Sequence, residues 1–157
     1  MKIRIHDLLG EVLRSGASDL HLGVGHLPCF RIDGELHPVA DIPVLALEDV
    51  EKAISEIISP EQMASYRQSR EYDFSFTYHA PTGEEARFRG NCFFESGNMT
   101  LALRLIPMRI RSIVELGLPR CLLEVTDQRR GLFLVTGPTG HGKTTTLAAL
   151  VDEINRK

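Results

Sequence analysis

Apolar positions recur at helical spacing near the start of the chain. Ile5, Leu8, Leu9, Val12 and Leu13 share one face of a helix over 5–16, with Gly16 as its stop. The period then shortens. Asp19-Leu20-His21-Leu22 alternates polar with apolar, as a half-buried strand does. Cys29-Phe30-Arg31-Ile32 predicts a second strand and Glu35-Leu36-His37-Pro38-Val39 its return. Asp33-Gly34 between them is a hairpin signal, because both residues tolerate positive φ. Pro38 has no N–H to donate and belongs at a sheet edge or a strand end. Helical spacing returns over 47–58, where Leu47, Val50, Ala53, Ile54, Ile57 and Ile58 fall on one face. Pro60 can open a further helix at Glu61–Ser69. Tyr72, Phe74, Phe76 and Tyr78 alternate strictly, the strongest strand signal in the chain. Turns at Pro81-Thr82-Gly83 and Glu95-Ser96-Gly97-Asn98 separate that strand from Ala86–Phe94 and Thr100–Ile106. These three segments predict an antiparallel meander.

Past Pro107 the pattern changes. Residues 108–112 read as a linker, and Ser112–Leu116 and Pro119–Val125 as short helices. Leu132-Phe133-Leu134-Val135 is apolar on both faces, as in a central parallel strand covered by helices. The helix predicted over Lys143–Asn155 places Leu147, Leu150, Val151 and Ile154 on one face. Four such side chains contribute roughly 6–12 kcal/mol when fully covered, and this chain offers little to cover them. The expected organisation is an α+β domain over 1–106, a linker with short helices over 107–130, and the first strand and helix of an α/β nucleotide-binding domain over 131–157. A longer parent protein is expected to supply the remaining strands.

Between that strand and helix lies GPTGHGKTTT, residues 137–146. It satisfies G-x-x-x-x-G-K-[ST] through Gly137, Gly142, Lys143 and Thr144, the phosphate-cradling P-loop pattern. The nucleotide contacts expected from it are Gly137, Pro138, Thr139, Gly140, His141, Gly142, Lys143, Thr144 and Thr145. Glycines let backbone N–H groups approach phosphate oxygens, and a helix N-terminus favours negative charge. Lys143 is expected at the β- and γ-phosphates of ATP, Thr144 on Mg²⁺, and Thr145 on a further phosphate oxygen. His141 either touches phosphate when protonated or, more simply, points to solvent. The bland alternative is a glycine-rich turn without ligand, yet Lys-Thr at a helix start serves no evident packing need. Hydrolysis also needs an acidic group to hold Mg²⁺ and a group to position water. Neither follows the loop, so this chain by itself is expected to be catalytically inactive.

Composition narrows the remaining classes. Net charge is −3 and the isoelectric point about 6.1, so no general case for nucleic-acid binding arises. Cys29, Cys92 and Cys121 form no C-x-x-C pair and read as reduced thiols of a cytosolic protein. The histidines show no metal-ligand spacing. The N-terminus lacks a signal-peptide core, and no apolar run approaches a membrane span, so any membrane link is expected through a partner. Arg87 and Arg89 share a strand face, and with Arg104 they read on spacing alone as solvent-facing strand arginines.

The segments Gly16-Ala17-Ser18-Asp19-Leu20-His21-Leu22, Arg31-Ile32-Asp33-Gly34, Asp73-Phe74-Ser75-Phe76, Ala86-Arg87-Phe88-Arg89 and Arg104-Leu105-Ile106-Pro107 occur in this order. Leu116-Gly117-Leu118-Pro119, Arg130-Gly131-Leu132 and GPTGHGKTTTLAAL follow. Together they resemble the secretion-ATPase superfamily, most closely its type IV pilus retraction motors, over nearly the whole chain. The resemblance implies a PAS-like N-terminal domain, then the first strand, P-loop and helix of a RecA-like ATPase domain. It implies a homo-hexamer in which each N-domain packs on the neighbouring ATPase domain, and an inner-membrane pilus platform protein as partner. It implies a cytoplasmic location, peripheral to the inner membrane. Arg89 and Arg104 match arginines that reach the neighbour's nucleotide in related motors, with Arg87 a weaker match. His141 and Thr144 stand where serines are common. The family's Asp box, Walker B segment, His box and platform-reading region are expected beyond Lys157. A pilus-assembly or type II secretion ATPase is the alternative within the superfamily, although little chain precedes Ser18 to hold their further N-terminal domain. A non-hydrolytic nucleotide-binding module that joins and modulates such hexamers is the alternative outside motor function.

Overall fold

The structure, a computed structural model, describes residues 4–138 and 140–157. The chain divides into two compact units, Met1–Pro107 and Met108–Lys157.

The first unit runs α1 (Ile5–Ser15), β1 (Asp19–Gly23), β2 (Cys29–Ile32), β3 (Glu35–Pro38), α2 (Leu47–Ser55), α3 (Pro60–Ser69), β4 (Glu71–His79), β5 (Glu85–Glu95) and β6 (Asn98–Ile106). Its sheet has the order β3-β2-β1-β6-β5-β4, with every pairing antiparallel. Two three-stranded meanders are thus joined through the first strand of one and the last strand of the other. This is an α+β architecture. Local chemistry explains the ends of the elements. Gly16, at φ 70°, closes α1 with its N–H on the Val12 carbonyl. Asp33 and Gly34, at φ 50° and 89°, make the hairpin turn between β2 and β3. Ser59 and Gln62 form a reciprocal capping box that starts α3, with Pro60 in the first turn. Pro38 is the last residue of edge strand β3.

Burial alternates along the strands, so one sheet face is covered and the other is polar. Leu20, Leu22, Phe30, Phe88, Leu101 and Leu103 point into a core shared with Ile5, Leu9, Val12, Val50, Ile54 and Tyr66 from the helices. Each fully buried side chain of this kind contributes about 1.5–3 kcal/mol. The helix expected to reach Ile58 ends at Ser55. The Ile57 and Ile58 N–H groups both turn back to the Ile54 carbonyl, and Ile58 stays buried.

The second unit contains α4 (Cys121–Thr126) and α5 (Lys143–Asn155). Two expectations need correction. Ser112–Leu116 makes a capped turn instead of a helix: Ser112 and Glu115 bond reciprocally, and Gly117 follows at φ 65°. Leu132–Val135 is not a strand. Its apolar pattern expresses a preference for burial, but a strand exists only through ladder bonds, and no partner lies beside it among the described residues. Just beyond residues 108–112, Ile113 packs with Ala149 and Leu150 in a small core. On α5 that core covers Leu150, while Leu147, Val151 and Ile154 remain 43%, 54% and 52% exposed. They line an apolar cleft of about 490 Å³ with Leu132 and Phe133. No described helix is long and apolar enough to cross a membrane.

Candidate nucleotide loop and arginine row

The loop 137–142 leads into the longest helix of the second unit. Gly137, Gly140 and Gly142 adopt φ of 147°, 84° and 72°, values an L side chain rarely takes. Gly142 is the N-cap of α5 and offers no side chain to its first turn, which also carries no carboxylate. The first N–H groups of a helix have no intrahelical acceptors. No carboxylate of that turn competes for the positive end of the helix dipole. Lys143 folds back across the loop, its Nζ donating to the Pro138 carbonyl at 2.6 Å. Thr144 and Thr145 are exposed on the first turn. His141 donates its N–H to the Pro138 carbonyl at 3.5 Å. Thr139, expected among the nucleotide contacts, lies outside the described residues. The arrangement can receive an anion with several oxygens and supply the Lys143 ammonium to it.

A second cluster sits on the polar sheet face of the first unit. Register places Arg31 opposite Asp19, Asp19 opposite Arg104, and Arg104 opposite Arg89. Four side chains from β2, β1, β6 and β5 therefore form one row. Arg87 lies two residues along the same face, opposite Thr77 and Ile106. Like charges directly opposite each other on a sheet are destabilising, and Arg89 and Arg104 are such a pair. Carboxylates on either side offset the repulsion. Arg104 Nε donates to Asp19 Oδ1 at 2.8 Å, and Arg89 Nη2 lies 3.6 Å from Asp73 Oδ2. Burial pushes the Asp19 carboxyl up. Hydrogen bonds from Ser18 and Arg104 and the Arg104 and His21 charges more than reverse this, so it lies below the ordinary aspartate value. His21, on the same face, is driven down by burial and by Arg31 and Arg104, against the pull of Asp19. Its Nε2 is a buried atom without a hydrogen-bond partner among the described residues. Asp19, His21, Arg89, Asn91 and Arg104 line a cleft of about 230 Å³.

Sequence reasoning singled out the two arginines but missed Asp19 and Asp73 as their partners. Asp19 stands 85 residues before Arg104, and no local pattern connects them. The remaining chemistry is quiet: Cys92 is enclosed in the core, where burial pushes its thiol up to about 12.

The family model for type II/IV secretion system proteins matches residues 1–157. The chain belongs to that family. It is 39% identical over 151 residues to the type IV pilus retraction ATPase PilT of Pseudomonas aeruginosa, covering 96% of this chain and 42% of that protein. It is 35% identical over 128 residues to a twitching motility protein of Neisseria gonorrhoeae, covering 82% of this chain and 33% of the relative. The crystal structure of the pilus retraction motor PilT with bound ADP superposes with a TM-score of 0.75 at 39% identity, over 98% of this chain and 43% of that one. The Legionella pneumophila ATPase DotB superposes with a TM-score of 0.84 at 21% identity, a likeness of fold. The chain thus spans about two-fifths of the length of PilT, the secretion-family relative it matches at 39% identity.

Proposed function

We propose that the chain is the N-terminal part of a hexameric ATP-driven motor that retracts type IV pili. In this reading residues 1–106 are its PAS-like domain, 107–130 the connection, and 131–157 the opening of its RecA-like ATPase domain. The loop fits a nucleotide on its own chemistry: left-handed glycines, a helix N-terminus with no side-chain cap and Lys143 folded over it. Gly137, Pro138, Thr139, Gly140, His141, Gly142 and Thr145 would surround the phosphates. Lys143 would contact the β- and γ-phosphates, and Thr144 would hold Mg²⁺. The metal would neutralise phosphate charge. Arg89 and Arg104 would act from one subunit on the γ-phosphate bound by its neighbour, an arrangement that the exposed paired guanidinium groups suit. A homo-hexamer is the assembly this requires. The same reading puts the motor in the cytoplasm, at the inner membrane through a pilus platform protein.

The single observation that carries the proposal is the Lys143–Pro138 contact at a glycine-capped helix start, in a chain 39% identical to a pilus retraction ATPase. Subunit mixing in the full-length motor tests it. Arg89→Ala rings and Lys143→Ala rings should each lose ATP turnover, by about 10³–10⁵-fold for a true arginine finger. Mixed rings should regain part of it, because an intact loop then faces an intact arginine at some interfaces. Exchange of subunits without any recovery would refute action in trans.

A further inference from the structure

Asp19 is a nearly enclosed carboxylate on the polar face of the sheet, its side chain 8% exposed. Three donors surround it. Ser18 Oγ donates to Oδ2 at 2.7 Å, Arg104 Nε to Oδ1 at 2.8 Å, and Arg31 Nε stands 3.5 Å from Oδ2. The two arginines are held differently. Arg31 is tied at both ends, because its Nη1 also donates to the Gly34 carbonyl at 3.0 Å. Arg104 is tied at Nε, and its terminal nitrogens have no partner among the described residues. Its side chain is 72% exposed. The stem is fixed and the fork is open. Arg89 shows the reverse: an Nη is engaged, by an Asp73 carboxylate that is itself exposed. An exposed pair of that kind is screened and weakly held.

We infer that Asp19 is a positioning residue for Arg104, gripping the guanidinium at Nε so that its two terminal nitrogens are presented, already oriented, to an anionic group arriving at the sheet face. Long side chains carry large rotamer entropy. An arginine anchored at Nε has lost much of it before the ligand arrives, and a planar fork loses less per bond formed. Ser18 and Arg31 steady the carboxylate from the side away from Arg104. The inference rests on the reading of Arg104 as acting on a neighbour's nucleotide, and it divides the labour of the pair. Arg104 is ready in the free subunit, whereas Arg89 must first leave Asp73.

Two measurements test this. Nitrogen-15 NMR of this chain reads the arginine side chains without any turnover. The Arg104 Nε–H should exchange with water about tenfold or more slowly than that of Arg89, and Asp19→Asn should abolish the difference. Equal exchange in the unsubstituted chain would overturn the inference, whatever the variant does. In the full-length motor, Asp19→Asn should lower kcat about 10–100-fold with the KM for ATP within about twofold, the pattern of a misplaced group acting in the transition state. Ser18→Ala, which keeps the carboxylate, should give a smaller loss of the same kind. Neither substitution should slow an Arg104→Ala motor further, since residues acting through one group do not add. Additive losses would overturn the positioning role. So would unchanged turnover of Asp19→Asn in a motor that Arg104→Ala cripples. Full turnover of Arg104→Ala itself would instead overturn the proposed role of that arginine, and this inference with it.

Discussion

Gly90 faces Phe74 directly across the β4–β5 ladder, and a Cβ built at Gly90 would lie only 2.3–2.8 Å from three atoms of the Phe74 ring. The ring occupies the space that any other residue would fill. It also stacks on its neighbours, at 6.2 Å from Tyr72 and 5.9 Å from Phe76. Gly90→Ala must push the ring aside and break those stacks. Overpacking of this sort costs about 1–3 kcal/mol. The backbone at Gly90 is not left-handed, so alanine also brings a gain of about 0.5–1 kcal/mol from lost unfolded-state freedom. The mid-range values of these two terms leave a net destabilisation of about 1 kcal/mol, or roughly 4–8 °C in Tm for a unit of this size. A double-mutant cycle makes the reasoning specific. With the ring removed by Phe74→Ala, the same Gly90→Ala change should become stabilising by about 0.5–1 kcal/mol. The assay is near-ultraviolet circular dichroism during urea or thermal unfolding. The chain has 3 tyrosines and no tryptophan. Tyr66, Tyr72 and Tyr78 all belong to the first unit, so the tyrosine part of the signal reports that unit by itself. An equal loss in both backgrounds would refute the idea that the Phe74 ring makes glycine necessary.

Three further outcomes follow from the structure. Lys143→Ala should weaken binding of a fluorescent ADP analogue to this chain about 10–100-fold, the worth of a charge-assisted hydrogen bond; Thr144→Ala should matter only when Mg²⁺ is present, and equal loss without the metal would refute its assigned role. Hydrogen exchange should find the α5 amides less protected than those of β5 and β6, because Leu147, Val151 and Ile154 lack cover; equal protection would show that something else shields them. The first unit should lose stability on acidification in two steps. His21 and Asp19 both have depressed values in the folded state, so each favours folding above its unfolded value and loses that contribution as pH falls through the folded one. The His21 step begins below the ordinary histidine value of 6.5 and the Asp19 step below the ordinary aspartate value of 3.8. Urea unfolding of His21→Gln and Asp19→Asn across pH should each remove one step, and an unchanged profile in either variant would contradict the assignment.

Elements that the chain forms with its own neighbours could be read from sequence; partnerships between distant segments could not. The Tyr72–Tyr78 alternation, the Asp33-Gly34 turn and the Pro60 helix start are settled within a few residues, and each appears in the structure where its pattern put it. Leu132–Val135 marks the limit of that kind of reading. Four apolar residues state that a segment prefers burial, but only a neighbouring ladder can make it a strand, and the described residues supply none. The arginine row marks the same limit from the other side. Period-two spacing put Arg87 and Arg89 on one face. Pairing of β1 with β6 and β6 with β5 then set Arg104 opposite Arg89 and brought Asp19 beneath Arg104. That pairing joins the chain's first meander to its second, so its register depends on packing across the whole core. Two arginines placed side by side would repel and drift unless something held them, and a local reading of β5 and β6 offers nothing that does. The anchor arrives from β1, where Asp19 reads in isolation as an unremarkable polar residue on the wet side of a strand. Its meaning lies in what the register sets beside it, and it is the residue on which the order of the row depends.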